Sequence, residues 1–235
     1  MAAPIAPPAS PPAPMTGPLR GTHASAPPAR KVNVTEHPIA QHALTVLRNK
    51  RTASAHFRVV SNQLLALLVL EATRSLPTRD ESVETSAGSQ SGRALVKPVV
   101  FLSLARHGLG LAHSMVEFFP DLQVGTITLE PGKEGQPPKP RLHLVNAPAL
   151  SDARVILFDP IVSNGLSLGV ALNLLRRSGA TDISLLSFVV AFPEPGGIQA
   201  AFPDLTVWTV AVEDDAGANP GLKAGLGNFA ERLYG

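Results

Sequence analysis

The sequence predicts an α/β domain with a mainly parallel central sheet, helices on both faces, and an N-terminal helical segment followed by a loop or hairpin arm. Three observations carry this. The apolar runs at 99–104, 124–129, 154–158, 183–190 and 206–212 are nearly continuous rather than alternating, as strands covered on both faces are. Stretches with apolar residues at three- and four-residue spacing separate them, which is the helical period. Polar or glycine-rich clusters follow several of the runs, where a parallel sheet places its ligand-binding loops.

The first 30 residues are dense in Pro and Ala, and their large apolar residues are few: Ile5, Met15 and Leu19. Such a segment cannot bury enough surface to offset its ordering entropy, so a disordered tail is expected, with the folded domain at 31–235. Pro38 suits a first helical turn, and Ile39, Ala43, Val46 and Leu47 fall on one face. Thr52 offers an N-cap to a second helix carrying Phe57, Val60, Leu64, Leu67 and Leu68. Residues 77–94 are polar and aperiodic, which fits a loop or a hairpin arm. The strand at 99–104 leads through Ala105-Arg106-His107-Gly108 to a helix over 109–119. The strand at 124–129 leads into a Pro/Gly/Lys loop over 130–141. After the strand at 154–158 comes Asp159-Pro160, then an amphipathic helix over 166–177 closed by Gly179. The strand at 183–190, a short helix over 197–201 and the strand at 206–212 complete the sheet.

Composition narrows the function classes. The 235 residues include no cysteine, so disulfides and thiolate metal sites are excluded. The formal charge is +2, and basic residues adjoin only in pairs, so no nucleic-acid partner is expected. The longest apolar stretch, Leu64 to Leu70, is far short of a membrane span, and the N-terminus lacks a signal-peptide pattern. A cytoplasmic protein without a membrane partner is expected.

Three clusters at strand ends could carry chemistry. The first is Asp159-Pro160-Ile161-Val162-Ser163-Asn164-Gly165-Leu166-Ser167, where a strand delivers an acid and a helix begins. Helix-start N–H groups with hydroxyls beside them seat a phosphate, and the carboxylate suits sugar hydroxyls or a magnesium shell. The same residues could equally be an ordinary turn with a serine cap. The second is Arg106-His107-Gly108-Leu109-Gly110, a cation before Gly-x-Gly, which fits a pyrophosphate contact or a plain strand–helix turn. The third runs from Pro220 to Arg232, where glycine-rich backbone could line a flat base and Phe229 could pack on it; a flexible coil is the alternative. Glu213, Asp214 and Asp215 precede it. Lys133, Lys139 and Arg141 in the 130–141 loop could cover a pyrophosphate or be solvated surface.

Taken together, residues 34–235 resemble the uracil phosphoribosyltransferase family. His37-Pro38-Ile39 with His42, Leu44 and Leu47-Arg48 is similar to that family's HPLxxHKLxxLR. Thr52, Phe57-Arg58, Glu71-Ala72-Thr73-Arg74 and Leu76-Pro77 continue the match. Arg106 to Gly110 is similar to RAGLG, Asp159 to Ser167 to DPxLATGGS, and Gly225-Leu226-Gly227-Asn228 with the closing Arg232-Leu233-Tyr234-Gly235 to PGLGDAGDRIFG.

The resemblance implies a phosphoribosyltransferase-type fold. It also implies transfer of a phosphoribosyl group from phosphoribosyl pyrophosphate to uracil, giving UMP in pyrimidine salvage, with Mg2+ accompanying the donor. It implies that Arg106 contacts pyrophosphate and Asp159 holds ribose hydroxyls. The loop of Pro160, Ile161, Val162, Ser163, Asn164, Gly165, Leu166 and Ser167 would seat the ribose-linked phosphate. Leu222 main chain with Gly227, Asn228 and Phe229 would read uracil, and Asp159, Arg106 and Asn228 would be the catalytic set. A homodimer or larger homo-oligomer is expected, with GTP as a candidate effector. Four positions and one stretch depart from the pattern: Asn164 replaces Thr, Leu166 a second Gly, Asn228 an acid and Ser103 a Pro, and Leu129-Glu130-Pro131 stands about where the family has Tyr-Arg. A phosphoribosyltransferase-like ligand-binding or regulatory domain without turnover is therefore the alternative reading.

Overall fold

The computed structural model describes residues 32–104, 109–132, 138–144, 147–163, 165–191, 197–213 and 224–235. The expected N-terminal tail lies outside them. The chain runs β1 (Val32–Val34), α1 (Pro38–Arg48), α2 (Ser54–Thr73), β2 (Thr78–Thr85), β3 (Gly88–Leu95), β4 (Val99–Leu104), α3 (Leu109–Phe118), β5 (Gln123–Glu130) and β6 (Lys139–His143). It continues with β7 (Arg154–Phe158), β8 (Ile161–Val162), α4 (Gly165–Arg177), β9 (Asp182–Val190), α5 (Gly197–Ala201), β10 (Thr206–Val212) and α6 (Phe229–Tyr234).

The main sheet has the order β1-β10-β9-β7-β4-β5-β6, with β8 added to β9. Every pair in it is parallel except β5–β6. Strands β4, β7 and β9 are almost wholly buried, which is why their sequences read as apolar runs. One face packs Phe101, Ile156, Phe158, Phe188 and Val210 against α1, α2, α3 and α6. The other packs Val100, Leu102, Val155, Leu157 and Leu185 against α4 and α5.

Helix starts follow local chemistry. His37 caps α1, its Nδ1 accepting the Ile39 N–H at 3.2 Å, with Pro38 opening the first turn. The buried face of α1 is Ala40, Ala43, Leu44 and Leu47, whereas Ile39 is 63% exposed, so the expected face is rotated toward Ala40 and Leu44. Thr52 does not cap α2. The helix begins after Ala53, and the Thr52 hydroxyl donates instead to the Val46 carbonyl at 2.7 Å, tying α2 to α1. Gly179, with φ of 92°, closes α4, and the Ala180 N–H reaches back to the Leu175 carbonyl at 3.0 Å.

The polar stretch after α2 is a two-stranded antiparallel hairpin, β2–β3, outside the main sheet and exposed almost throughout. The expected 130–141 loop is shorter than its sequence suggests. Residues 139–141 belong to β6, and the Arg141 guanidinium pairs with Glu130 at 2.6 Å across the β5–β6 ladder. Lys133 lies outside the described residues. Ser103, where the family motif has proline, is fully buried in β4. It takes part in the ladders to both neighbours, and its hydroxyl lies 3.2 Å from that of Thr126.

Candidate functional site

The strand order places the site. From β4 the chain crosses by α3 to β5 on one side, and from β7 it crosses by α4 to β9 on the other. Neighbouring strands whose connections leave in opposite directions open a crevice at their carboxyl ends, and α/β sheets bind ligands there. The segment after β4 carries Arg106, and the segment after β7 starts with Asp159. Arg106, His107 and Gly108 lie outside the described residues, and α3 begins immediately after them.

The β7 side is held rigidly. The Asp159 N–H donates to the Leu186 carbonyl at 3.1 Å, and the Pro160 carbonyl accepts from Phe188 N–H at 3.1 Å and Val189 N–H at 3.3 Å. Ile161 and Val162 then pair with Val189 and Val190, and the Ala191 N–H donates to the Val162 carbonyl at 2.8 Å. The loop is therefore stitched along β9 before it delivers Ser163 to the start of α4. Asn164 lies outside the described residues. Gly165, Leu166 and Ser167 form the first turn of a 13-residue helix, and the positive end of such a helix favours an anion. Leu166 points away from the core and is 58% exposed, while Leu168 packs inward.

Asp159 keeps an accessible edge but is otherwise surrounded by protein. Burial raises its carboxyl to about 7, and the Ile161 N–H, donating to Oδ1 at 3.4 Å, opposes the rise. It is the one strongly shifted carboxyl among the described residues, and it stands at the strand end where the sequence expected it.

The C-terminal segment reaches the same end of the sheet through aromatic packing. Phe158, the residue before Asp159, lies 5.3 Å from Phe188 between ring centroids, and Phe188 lies 6.0 Å from Phe229, the residue after Asn228. Phe229 also meets Phe57 edge-on at 5.2 Å. This corrects one expectation: Phe229 is 5% exposed and packs among Phe57 and Phe188 in the core, so its ring is not open to stack on a base. Only its main chain can take part in a site. Asn228 is exposed and caps α6, its side-chain oxygen accepting the Glu231 N–H at 3.4 Å. Gly227 precedes it, and Leu222 lies outside the described residues.

Sequence reasoning missed α6 and the residues that hold it. The signal was present: Asn228 followed three residues later by Glu231 is a capping pattern, and Phe229 and Leu233 share one helix face. Arg58 donates to the Leu233 carbonyl at 2.7 Å, and Arg232 donates to the carbonyls of Leu226 at 3.2 Å, Asn49 at 2.7 Å and Leu47.

Comparison with known proteins agrees with this fold. The family model for uracil phosphoribosyltransferase matches residues 34–235. The uracil phosphoribosyltransferase of Pediococcus pentosaceus is 31% identical over 207 residues, covering 87% of this chain and 98% of that one. The enzyme of the same name from Corynebacterium efficiens is 32% identical over 204 residues, covering 87% and 96%. Among solved structures, the AQ2163 protein from Aquifex aeolicus superposes with a TM-score of 0.73 at 22% identity, covering 86% of this chain and 97% of that one, which shows a shared fold.

Proposed function

The chain belongs to the uracil phosphoribosyltransferase family, and we propose that it transfers the phosphoribosyl group of phosphoribosyl pyrophosphate to N1 of uracil, giving UMP and pyrophosphate. The observation that carries the reading is the reversal of strand order between β4 and β7, with Asp159 directly after β7 and the opening turn of α4 following it.

In this reaction the bond from C1′ to the pyrophosphate oxygen breaks and its electron pair leaves with pyrophosphate. The bond from uracil N1 to C1′ forms, and the N1 proton passes to the departing pyrophosphate or to solvent. The protein's work is mostly placement and electrostatic support. The ionised Asp159 would accept hydrogen bonds from the ribose hydroxyls. The N–H groups of Gly165, Leu166 and Ser167, with the hydroxyls of Ser163 and Ser167, would seat the 5′-phosphate. Arg106 would hold the pyrophosphate, and Gly227, Asn228 and the Leu222 and Phe229 main chain would face uracil.

Magnesium fits this arrangement as an ion delivered with the donor. Among the described residues no group of three or more His, Asp or Glu could cage a metal, and Asp159 offers one carboxylate. Mg2+ commonly takes one or two carboxylates and completes its shell with phosphates and water. When bound, it would neutralise charge building on the leaving pyrophosphate. The reading carries a cytoplasmic place of action and a homodimeric or larger assembly. No described helix is long and apolar enough to cross a membrane.

The test is donor binding. Arg106→Ala should weaken affinity for phosphoribosyl pyrophosphate at least about tenfold by calorimetry, the scale of one charge-assisted contact. Unchanged affinity would remove Arg106 from the site.

A further inference from the structure

Arg48 is the last residue of α1, and three features of the C-terminal side converge on it. Its Nη2 pairs with Glu213, just beyond the end of β10. Its Nε donates to the Ala224 carbonyl at 3.1 Å. Its aliphatic stem lies against Gly225, where an added Cβ would stand 3.1 Å from Arg48 Cγ and 3.3 Å from Cδ. Gly225 has φ of +73°, so the chain turns against the arginine in a conformation that glycine adopts without strain. One residue further, the Leu226 carbonyl is held by Arg232. Two guanidinium groups thus fix the carbonyls of residues 224 and 226, directly before Gly227 and Asn228.

A half-exposed ion pair alone contributes little to stability. The shape of this contact gives it another use. A guanidinium presents its donors in a fixed plane, so holding Glu213 and Ala224 together sets where the segment stands relative to the end of β10. A lysine can reach one of these partners but has no second donor in a rigid fork.

We infer that Arg48 is a positioning residue for uracil recognition: it sets the stance of Ala224–Asn228 at the crevice and touches neither substrate. The inference rests on the reading above that Gly227 and Asn228 face the base. Uracil affinity should therefore depend on Arg48, and donor affinity should not.

The test combines steady-state kinetics with amide hydrogen exchange on the wild type, Arg48→Ala and Arg48→Lys. Arg48→Ala should raise the KM for uracil about tenfold or more while the KM for phosphoribosyl pyrophosphate stays within about twofold, and Arg48→Lys should fall between. Exchange at the amides of 224–228 should accelerate at least about tenfold in Arg48→Ala, with β4 and β7 unchanged. An unchanged KM for uracil would overturn the inference. So would a parallel rise in both KM values with faster exchange through the whole sheet, because Arg48 would then be a general stabiliser. If the folded wild type forms no UMP, the proposed function falls instead, and calorimetry with uracil decides the inference together with exchange: weaker uracil binding in Arg48→Ala with acceleration confined to 224–228 supports it, and unchanged uracil binding, no uracil binding by the wild type, or no acceleration overturns it.

Discussion

Arg232 lies over the ring of Phe57, its guanidinium carbon 4.3 Å from the ring centroid, while its nitrogens donate to carbonyls of α1, of Asn49 and of the segment leading into α6. One side chain thus joins the first and last parts of the domain, and burial lowers its pKa below the ordinary guanidinium value. Arg232→Ala should destabilise the fold by about 2–3 kcal/mol, the sum expected for charged hydrogen bonds and a cation–π contact. Arg232→Lys should recover less than half, because an ammonium lacks the planar fork. Urea unfolding at constant m checks this, and a loss below about 0.5 kcal/mol in the alanine variant would contradict it.

Asp159 links stability to pH with a definite sign. Its carboxyl titrates near 7 in the folded chain and near the ordinary 3.8 when unfolded. Between those values the folded state holds the extra proton, so this group's contribution to stability falls as pH rises through the window and is constant above it. Asp159→Asn removes the penalty. At pH 8 the variant should be more stable than the wild type by up to roughly 3 kcal/mol, with solvent at the open edge keeping the gain below the full value, and the difference should vanish near pH 4. Thermal unfolding across pH measures it, and a variant less stable at pH 8 would contradict the assignment.

The same titration should appear in substrate binding. Ribose hydroxyls donate to a carboxylate better than to a carboxylic acid. The KM for phosphoribosyl pyrophosphate should therefore rise as pH falls below about 7, approaching tenfold per pH unit, while the KM for uracil stays level. A donor KM flat from pH 5.5 to 8 would place the ribose away from Asp159.

Asn228 caps α6 in a position where the family pattern has an acid. Aspartate accepts the same Glu231 N–H, and its charge suits a helix N-terminus, so Asn228→Asp should fold at least as well. If the charge supports the developing ribosyl cation, kcat should rise about tenfold with little change in the KM for uracil. Equal kcat in the two proteins would mean that Asn228 serves the helix and not the reaction.

Leu166 stands exposed in the first turn of α4, beside the backbone expected to meet phosphate. Leu166→Gly should lower the KM for phosphoribosyl pyrophosphate several-fold and reduce stability by roughly 0.5–1 kcal/mol, the usual helix cost of glycine. An unchanged donor KM would show that the leucine side chain already clears the phosphate.

The parallel core was legible because β4, β7 and β9 are buried on both faces, and their apolar runs leave little other reading. The elements that were missed carry no such period. β1 has three residues and β8 two, and both exist through ladder bonds to β10 and β9 that are distant in sequence. β6 is an edge strand with Pro140 in it, and it reads as loop until it is paired with β5. The places of Asp159, Ser163 and Gly165 were legible because a strand must end and a helix must begin there. The bonds by which Arg48, Arg58 and Arg232 tie the C-terminal segment to the first helices were not, because they span up to 185 residues and leave no local pattern.

The central claim is that phosphoribosyl transfer to uracil takes place at the crevice beside Asp159. UMP formation from labelled uracil, phosphoribosyl pyrophosphate and Mg2+ at pH 8, by purified wild type and Asp159→Asn, tests it most directly. The account predicts that the wild type forms UMP and pyrophosphate in equal amounts, and that the variant, although better folded at this pH, loses at least about a hundredfold in kcat/KM for the donor. A folded wild type that forms no UMP, or an Asp159→Asn protein as active as the wild type, would contradict it.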